Sequence, residues 1–289
     1  MRIAINGFGR IGRIFFRQAF GRPDFNIVAI NDLADKENLF YLLKYDSVYG
    51  KYEPTSDVGG KTSDVKFLQE KDPAKLPWKE MGIDVVLEST GVFESFEKAM
   101  AHIDAGAKRV VLTAPAKDEE GKFGRTILVG MNENEAKDFN ITSNASCTTN
   151  ASSPVIAVLA EDPGIEKAIL NTVHAMTNTQ IVVDSPVKGS DWRRGRAASQ
   201  NIIPSTTGAA IAVTKVFKEL EGKFDGIAMR VPVITGSVAD ITFLAKRKTS
   251  VEEINEIFKK AAESEKWRGI LKVIDEQVVS SDIIGEPYG

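Results

Sequence analysis

The chain has 289 residues, one cysteine, two histidines and a formal net charge of −3, with 43% hydrophobic and 27% charged residues. That is a globular composition at a length of about two domains, and a pI near 5.7 gives no global basic field for holding nucleic acid or an anionic membrane. A single cysteine excludes an intrachain disulfide and points to a reducing compartment, expected to be the cytoplasm, or to a chemical role; no run reaches the roughly 18 apolar residues of a membrane span, and the N-terminus MRIAINGFGR lacks the apolar stretch of a signal peptide.

In chain order, Ile3-Ala4-Ile5 reads as a buried strand. Residues 10–20 read as a helix with Ile11, Ile14, Phe15 and Gln18 on or near one face. Residues 27–30 form a second apolar run, and residues 39–43 sit in a second helix. Val58-Gly59-Gly60-Lys61 is a hairpin-turn signal inside an inserted antiparallel ribbon. DVVLE at 84–88, RVVL at 109–112 and TILV at 126–129 are further short β-branched runs. Strands alternating with helices predict a parallel sheet of βαβ units. Beyond Cys147 the runs lengthen. Residues 168–175, 226–233 and 238–246 read as antiparallel strands. Residues 184–199 form a long excursion, of the kind that usually carries function.

Asn6-Gly7-Phe8-Gly9-Arg10-Ile11-Gly12 is a GxGxxG pattern that directly follows the first strand and opens the first helix. In that context Gly7 permits a tight turn, Gly9 lets the backbone approach a pyrophosphate, and Gly12 allows close helix–strand packing. Asp32 lies 20 residues past Gly12, where a carboxylate accepts hydrogen bonds from ribose hydroxyls and repels a 2′-phosphate. NAD is therefore expected over NADP. The bland alternative is a glycine-rich turn with a solvated aspartate.

Cys147 stands in SNASCTTN, just before a helical stretch at 151–159. A helix N-terminus favours thiolate over thiol, and a thiolate there can add to a carbonyl. A lone cysteine is more often a buried structural one, but Ser, Thr and Asn flank this one on both sides. His174 follows 27 residues later on a strand, far enough for one helix and a return strand to bring the two together. His102 lies in a helical stretch without chemical neighbours and reads as structural or surface. No metal site is expected.

The ordered segments NGFGRIGR, LKYDSVYG, ESTGVF, SNASCTTN, HAMTNTQ, DWRRGRAA, NIIPSTTGAA and GIAMRVP resemble those of the phosphorylating glyceraldehyde-3-phosphate dehydrogenase family, from Met1 to Gly289. The resemblance implies an α/β chain: a Rossmann-type NAD-binding domain over 1–146 and an α+β catalytic domain with a mainly antiparallel sheet over 147–289. It implies a cycle in which Cys147 attacks the aldehyde of glyceraldehyde 3-phosphate, His174 serves as base, and inorganic phosphate cleaves a thioester to 1,3-bisphosphoglycerate. By motif match, Arg10, Ile11, Thr113 and Lys71 join Gly7, Gly9, Gly12 and Asp32 at the cofactor. Thr177 and Arg230 line the substrate-phosphate site. Ser146, Thr148, Thr207 and Gly208 contribute to phosphate or substrate binding. Arg194 is a further candidate, set against the reading of Arg193-Arg194-Arg196 as a solvated charge cluster. The family also implies a homo-oligomer, a tetramer, with no membrane or nucleic-acid partner.

Four departures from the family pattern stand out, of which Ala151 should not affect the mechanism. Lys71 replaces the arginine that many relatives place beside the adenine, without its planar surface. Leu33 and Pro186 fit the NAD-preferring pattern, whereas Ser185 is less typical. Ala151 stands where many relatives carry a second cysteine. Relatives also continue past this end with a segment like WYDNEWG and a long helix, so the chain is expected to be a truncated form that turns over poorly. Two alternatives stay open: a dehydrogenase for another sugar-phosphate aldehyde such as erythrose 4-phosphate, and a non-catalytic module binding NAD or RNA.

Overall fold

Short β-branched runs and the helices between them build a seven-stranded sheet, with Tyr45–Asp46 and Gly50–Lys51 apart from it as a two-stranded antiparallel ribbon. In chain order they are β1 (Arg2–Asn6), α1 (Arg10–Ala19), β2 (Asn26–Asn31), α2 (Lys36–Lys44), β3 (Tyr45–Asp46), β4 (Gly50–Lys51), β5 (Lys66–Leu68), β6 (Val85–Glu88), α3 (Phe96–Asp104), β7 (Arg109–Leu112), β8 (Arg125–Thr126) and β9 (Ile141–Ser143). The computed structural model describes residues 1–53 and 64–288, in two compact units: 1–128 with 132–146, and 129–131 with the chain from Cys147 onward. The hairpin signal at 58–61 lies outside the described residues.

Seven strands of the first unit pair in the order β5-β2-β1-β6-β7-β9-β8, all parallel. Period-two alternation gives the sheet two apolar faces. Ala4, Val86, Val110 and Leu112 pack with Phe96 and Ala99 of α3, while Ile3, Ile5, Ile27 and Leu87 pack with Phe16 of α1 and Leu39 of α2. The inward face of α1 is Gly12, Phe16 and Ala19, which corrects the face read from Ile11, Ile14, Phe15 and Gln18. Ile11 is 54% exposed. The pattern misled because a glycine holds one of the buried positions. The run at 126–129 yields a strand only at Arg125–Thr126.

His102 is neither on the surface nor without neighbours. It is fully buried, its Nδ1 accepts from Trp78 Nε1 at 3.0 Å, and its Nε2 lies 3.1 Å from the Glu88 carboxylate.

The second unit contains α4 (Cys147–Glu161), β10 (Ile165–Ala175), β11 (Ile203–Thr206), α5 (Ala209–Val216), β12 (Phe224–Val231), β13 (Ser237–Ala245) and α6 (Val251–Glu263). Its four strands are ordered β11-β12-β10-β13. β13 and β11 pair antiparallel with their neighbours, but β10 and β12 run parallel, so the sheet is mixed. The long connection between β10 and β12, through β11 and α5, makes a parallel pair possible. One face packs Ala168, Leu170 and Phe224 against Ile156 and Leu159 of α4 and Ala210 and Val213 of α5. On the strands Ile169, Ile227, Val238 and Leu244 remain exposed. Among the described residues no helix is long and apolar enough to cross a membrane.

Candidate active site

The glycine turn follows from β1 ending where α1 must begin. Gly7 has φ 92°, and a Cβ on it would lie 2.6 Å from Thr90 N; one on Gly12 would lie 2.2 Å from Gly7 O. A Cβ on Gly9 would meet nothing within 4 Å, so this side of the turn is open. No side chain caps α1, which leaves its first N–H groups and positive dipole end to an anion. β1 is flanked by β2 on one side and β6 on the other, the switch point at which open α/β sheets bind ligands beyond their carboxyl ends. These features fit a dinucleotide diphosphate.

Asp32 Oδ2 accepts from Phe8 N–H at 2.6 Å and Oδ1 from Ala34 N–H at 2.8 Å, so the carboxylate is fixed against the turn with further lone pairs to offer. The Arg10 guanidinium binds Asp46 at 2.9 and 3.4 Å and lies over the Tyr49 ring; it leaves its main chain, not its side chain, to the turn. Burial works against the Asp46 charge, but the N–H groups of Tyr49 and Val48 and the Arg10 guanidinium outweigh it and hold the carboxyl below its usual range. Ile11 and Leu33 are exposed apolar surfaces near the turn. Lys71 is exposed on a loop tied to β2, where Asn31 Nδ2 donates to Glu70 O and Glu70 N–H donates to Asn31 Oδ1, both at 2.9 Å. The N–H and hydroxyl of Thr113 donate to Glu88 O at 3.0 and 3.1 Å.

The thiol site starts from a backbone constraint. Ala145 has φ 53°, the only non-glycine residue with positive φ among those described, and this turn ends in Cys147 as the first residue of α4. Cys147 Sγ lies 3.2 Å from His174 Nε2. In the parallel register His174 sits directly beside Arg230. His174 Nδ1 is 2.7 Å from Ala175 O, and Arg230 Nη1 reaches the same carbonyl at 3.0 Å and the ring nitrogen at 2.6 Å. The Ala175 carbonyl can only accept and the Arg230 guanidinium can only donate, so these two contacts to Nδ1 call for opposite tautomers, while Nε2 is the nitrogen that faces sulfur.

The hydrogen bond from His174 is the largest influence on the thiol. Partial burial opposes it, while the His174 charge and the N–H and hydroxyl of Thr148 reinforce it, and the balance holds the Cys147 thiol below its ordinary range. Thr148, expected to contribute to phosphate or substrate binding, offers its N–H and hydroxyl to this sulfur. Iodoacetamide should accordingly label Cys147 faster at pH 6–7 than it labels a free cysteine of pKa about 8.5. A labelling profile that matches the free thiol would count against the geometry.

Around this pair is a cradle of donors. Thr177 and Thr179 hydroxyls are 3.0 Å apart. Arg194 donates to Thr179 Oγ1 at 2.9 Å, to Ser205 Oγ at 3.0 Å and to Asp191 Oδ2 at 3.2 Å. Arg193 and Arg196 instead point to Asp191 and Asp184 and are largely exposed, so the solvated reading fits those two and not Arg194. Burial, then the neighbouring Arg194 charge, weakens the Arg230 guanidinium's hold on its proton, with Cys147 opposing. Two guanidiniums that repel one another are a receptor for a dianion.

Thr207 and Gly208 are not joined to this cradle by hydrogen bonds. Thr207 accepts from Ala209 N–H, and Gly208 precedes α5. Thr206 pairs with Ile227, and Ile203 with Arg230, three residues or roughly 10 Å along the strand. Ser146 directly precedes α4. Thr179, Asp191 and Ser205 were not singled out from the sequence. Thr179 was accessible, standing two residues after Thr177 in HAMTNTQ, but Asp191 and Ser205 meet only through the folded excursion. Among the described residues no group of three or more His, Cys, Asp or Glu side chains could hold a metal.

The first unit carries a dinucleotide-type turn and the second a thiol–imidazole pair, features that fit a nicotinamide-dependent oxidoreductase. Models of the glyceraldehyde 3-phosphate dehydrogenase NAD-binding domain and C-terminal domain match residues 1–96 and 146–289. The chain is 48% identical to the glyceraldehyde-3-phosphate dehydrogenase of Streptomyces coelicolor over 99% of its own length and 86% of that protein's. It shows the same identity and coverage with the Salmonella typhimurium enzyme and with the cytosolic one of Leishmania mexicana. The chain belongs to the glyceraldehyde-3-phosphate dehydrogenase family, NAD-dependent oxidoreductases that act on an aldehyde group.

Proposed function

We propose that the chain oxidises glyceraldehyde 3-phosphate in the presence of inorganic phosphate to 1,3-bisphosphoglycerate, with residues 1–146 binding NAD and residues 147–289 carrying the chemistry. The observation that carries this reading is Cys147 Sγ at 3.2 Å from His174 Nε2, beside the Thr177, Thr179, Arg194 and Arg230 cradle. NAD supplies the hydride acceptor, and the Gly7–Gly12 turn, Asp32, Lys71 and Thr113 hold it.

The Cys147 thiolate forms a C–S bond to the aldehyde carbon, and N–H groups at the start of α4 stabilise the developing oxyanion. Protonated His174 gives that oxyanion its proton through Nε2, and Nε2 then takes the hydroxyl proton of the hemithioacetal back as hydride leaves the same carbon, which yields a thioester. A phosphate oxygen then attacks the thioester carbonyl, the C–S bond breaks, and the thiolate returns. The paired arginines hold the dianionic groups throughout.

The test is the initial rate of NADH formation with and without inorganic phosphate. A phosphate-dependent rate with glyceraldehyde 3-phosphate is expected; turnover only with erythrose 4-phosphate, or none with either, would contradict the reading. Asp32 supplies a second check. Asp32→Ala removes the ribose acceptor and leaves Phe8 N–H without its partner, so NAD affinity should fall roughly tenfold while NADP loses its repulsion. Titration of both cofactors measures the narrowed preference. The exposed apolar face of Ile169, Ile227, Val238 and Leu244 supports a homo-oligomer, read as a tetramer, and a cytoplasmic setting accords with a free reduced thiol.

A further inference from the structure

Beneath the cofactor turn lies a buried polar network that the chemistry above does not use. Glu88 ends β6 and is 4% exposed, yet no lysine or arginine pairs with it among the described residues. Its carboxylate is instead met by four donors: Asn6 Nδ2 at 2.5 Å, His102 Nε2 at 3.1 Å, Thr90 N–H at 2.8 Å and Thr90 Oγ1 at 2.5 Å. The direction of the imidazole bond is fixed. Trp78 Nε1 can only donate, and it donates to His102 Nδ1 at 3.0 Å, so the ring hydrogen sits on Nε2 and points at Glu88.

From Glu88 the network reaches every strand end around the switch point. Asn6, the last residue of β1, accepts from Asn31 Nδ2 at 2.7 Å, and Asn31 holds the Glu70 backbone next to Lys71. Ser89 Oγ donates to Gly7 O at 2.7 Å. The Glu88 carbonyl takes both donors of Thr113. A buried carboxylate of this kind is costly, and apolar packing would serve the core equally well. What this arrangement adds is a fixed geometry for the backbone that lines the crevice.

We propose that His102 is a positioning residue for the cofactor: through Glu88 it holds the Asn6-Gly7 turn, Ser89-Thr90 and Thr113 in the arrangement that accepts the dinucleotide. This rests on the reading that NAD lies across the Gly7–Gly12 turn.

Calorimetric titration of the full chain with NAD tests it, because stoichiometry and Kd separate folding from positioning. His102→Leu should raise Kd roughly tenfold at unchanged stoichiometry, since Glu88 loses a buried donor and Trp78 its acceptor. His102→Gln, whose amide can donate to Glu88 and accept from Trp78, should restore most of the affinity. Trp78→Phe frees the ring to take its other tautomer and should raise Kd by about threefold; it decides the matter if His102→Leu does not fold. Cys147 labelling without NAD should be unchanged in all of them. Stoichiometry that falls while Kd stays at the wild-type value would show a purely structural role and overturn the proposal. If Asp32→Ala weakens NAD binding while the His102 and Trp78 variants bind like wild type, only the positioning role fails. If Asp32→Ala also binds like wild type, the cofactor reading fails and takes the proposal with it.

Discussion

Serine at position 147 is expected to abolish aldehyde oxidation and to leave NAD titration unchanged. On the proposed reading Cys147 is the nucleophile: Sγ lies 3.2 Å from His174 Nε2, and that hydrogen bond, with the donors of Thr148, keeps the thiol's pKa down. A serine hydroxyl does not ionise in this range, so its proton would have to be removed during the attack itself. An oxygen ester would also replace the thioester that phosphate must cleave. The loss should be on the order of 10⁴-fold or more in kcat, as for removal of a nucleophile that acts as a unit with its base. NADH formation at saturating substrate measures it. A Cys147→Ser chain that retained even a hundredth of the rate would mean that another group attacks the aldehyde.

What could be read in the sequence was local or fixed by spacing. The strand–turn–helix around Gly7, Gly9 and Gly12 is contiguous, and the acid at Asp32 follows at the end of the next strand, so both are legible in the sequence. Cys147 and His174 are separated by one helix and one strand, and the fold brings them into contact. The inward face of α1 was misread because Gly12, the residue that lets the helix approach the sheet, carries no hydrophobic signal. β12 is antiparallel to β11, as read, but parallel to β10, because an apolar run reveals burial and length but not each partner's polarity; that parallel register sets Arg230 beside His174. The Arg194–Asp191–Ser205 contacts depend on how the 184–199 excursion folds back, which side-chain periodicity does not encode. His102 was dismissed for the same reason: its neighbours Glu88, Trp78 and Asn6 are 14, 24 and 96 residues away in sequence.

His174→Asn should slow hydride transfer far more than it weakens substrate binding. His174 is held by its own strand register: Nδ1 is 2.7 Å from the Ala175 carbonyl, Arg230 reaches that carbonyl as well, and Nε2 faces the Cys147 sulfur at 3.2 Å. On the proposed reading the phosphate is held by other side chains, Thr177, Thr179, Arg194 and Arg230, and Arg230 loses its contact with the ring but keeps the Ala175 carbonyl. Loss of a general base costs about 10²–10⁴ in rate, and here kcat should bear it while the KM for the aldehyde changes little. The pH dependence follows with a definite sign. His174 is the first cause of the lowered Cys147 value, so its removal moves that value up toward the ordinary thiol figure of about 8.5. The acid limb of the rate profile should therefore shift to higher pH, and iodoacetamide labelling at pH 6–7 should slow in parallel. An aldehyde deuterated at the reacting carbon completes the test: with the base gone, hydride transfer becomes the slow step and the isotope effect on kcat should grow. A variant whose sole change was a raised KM, with kcat, labelling profile and isotope effect as in wild type, would reassign His174 to substrate binding.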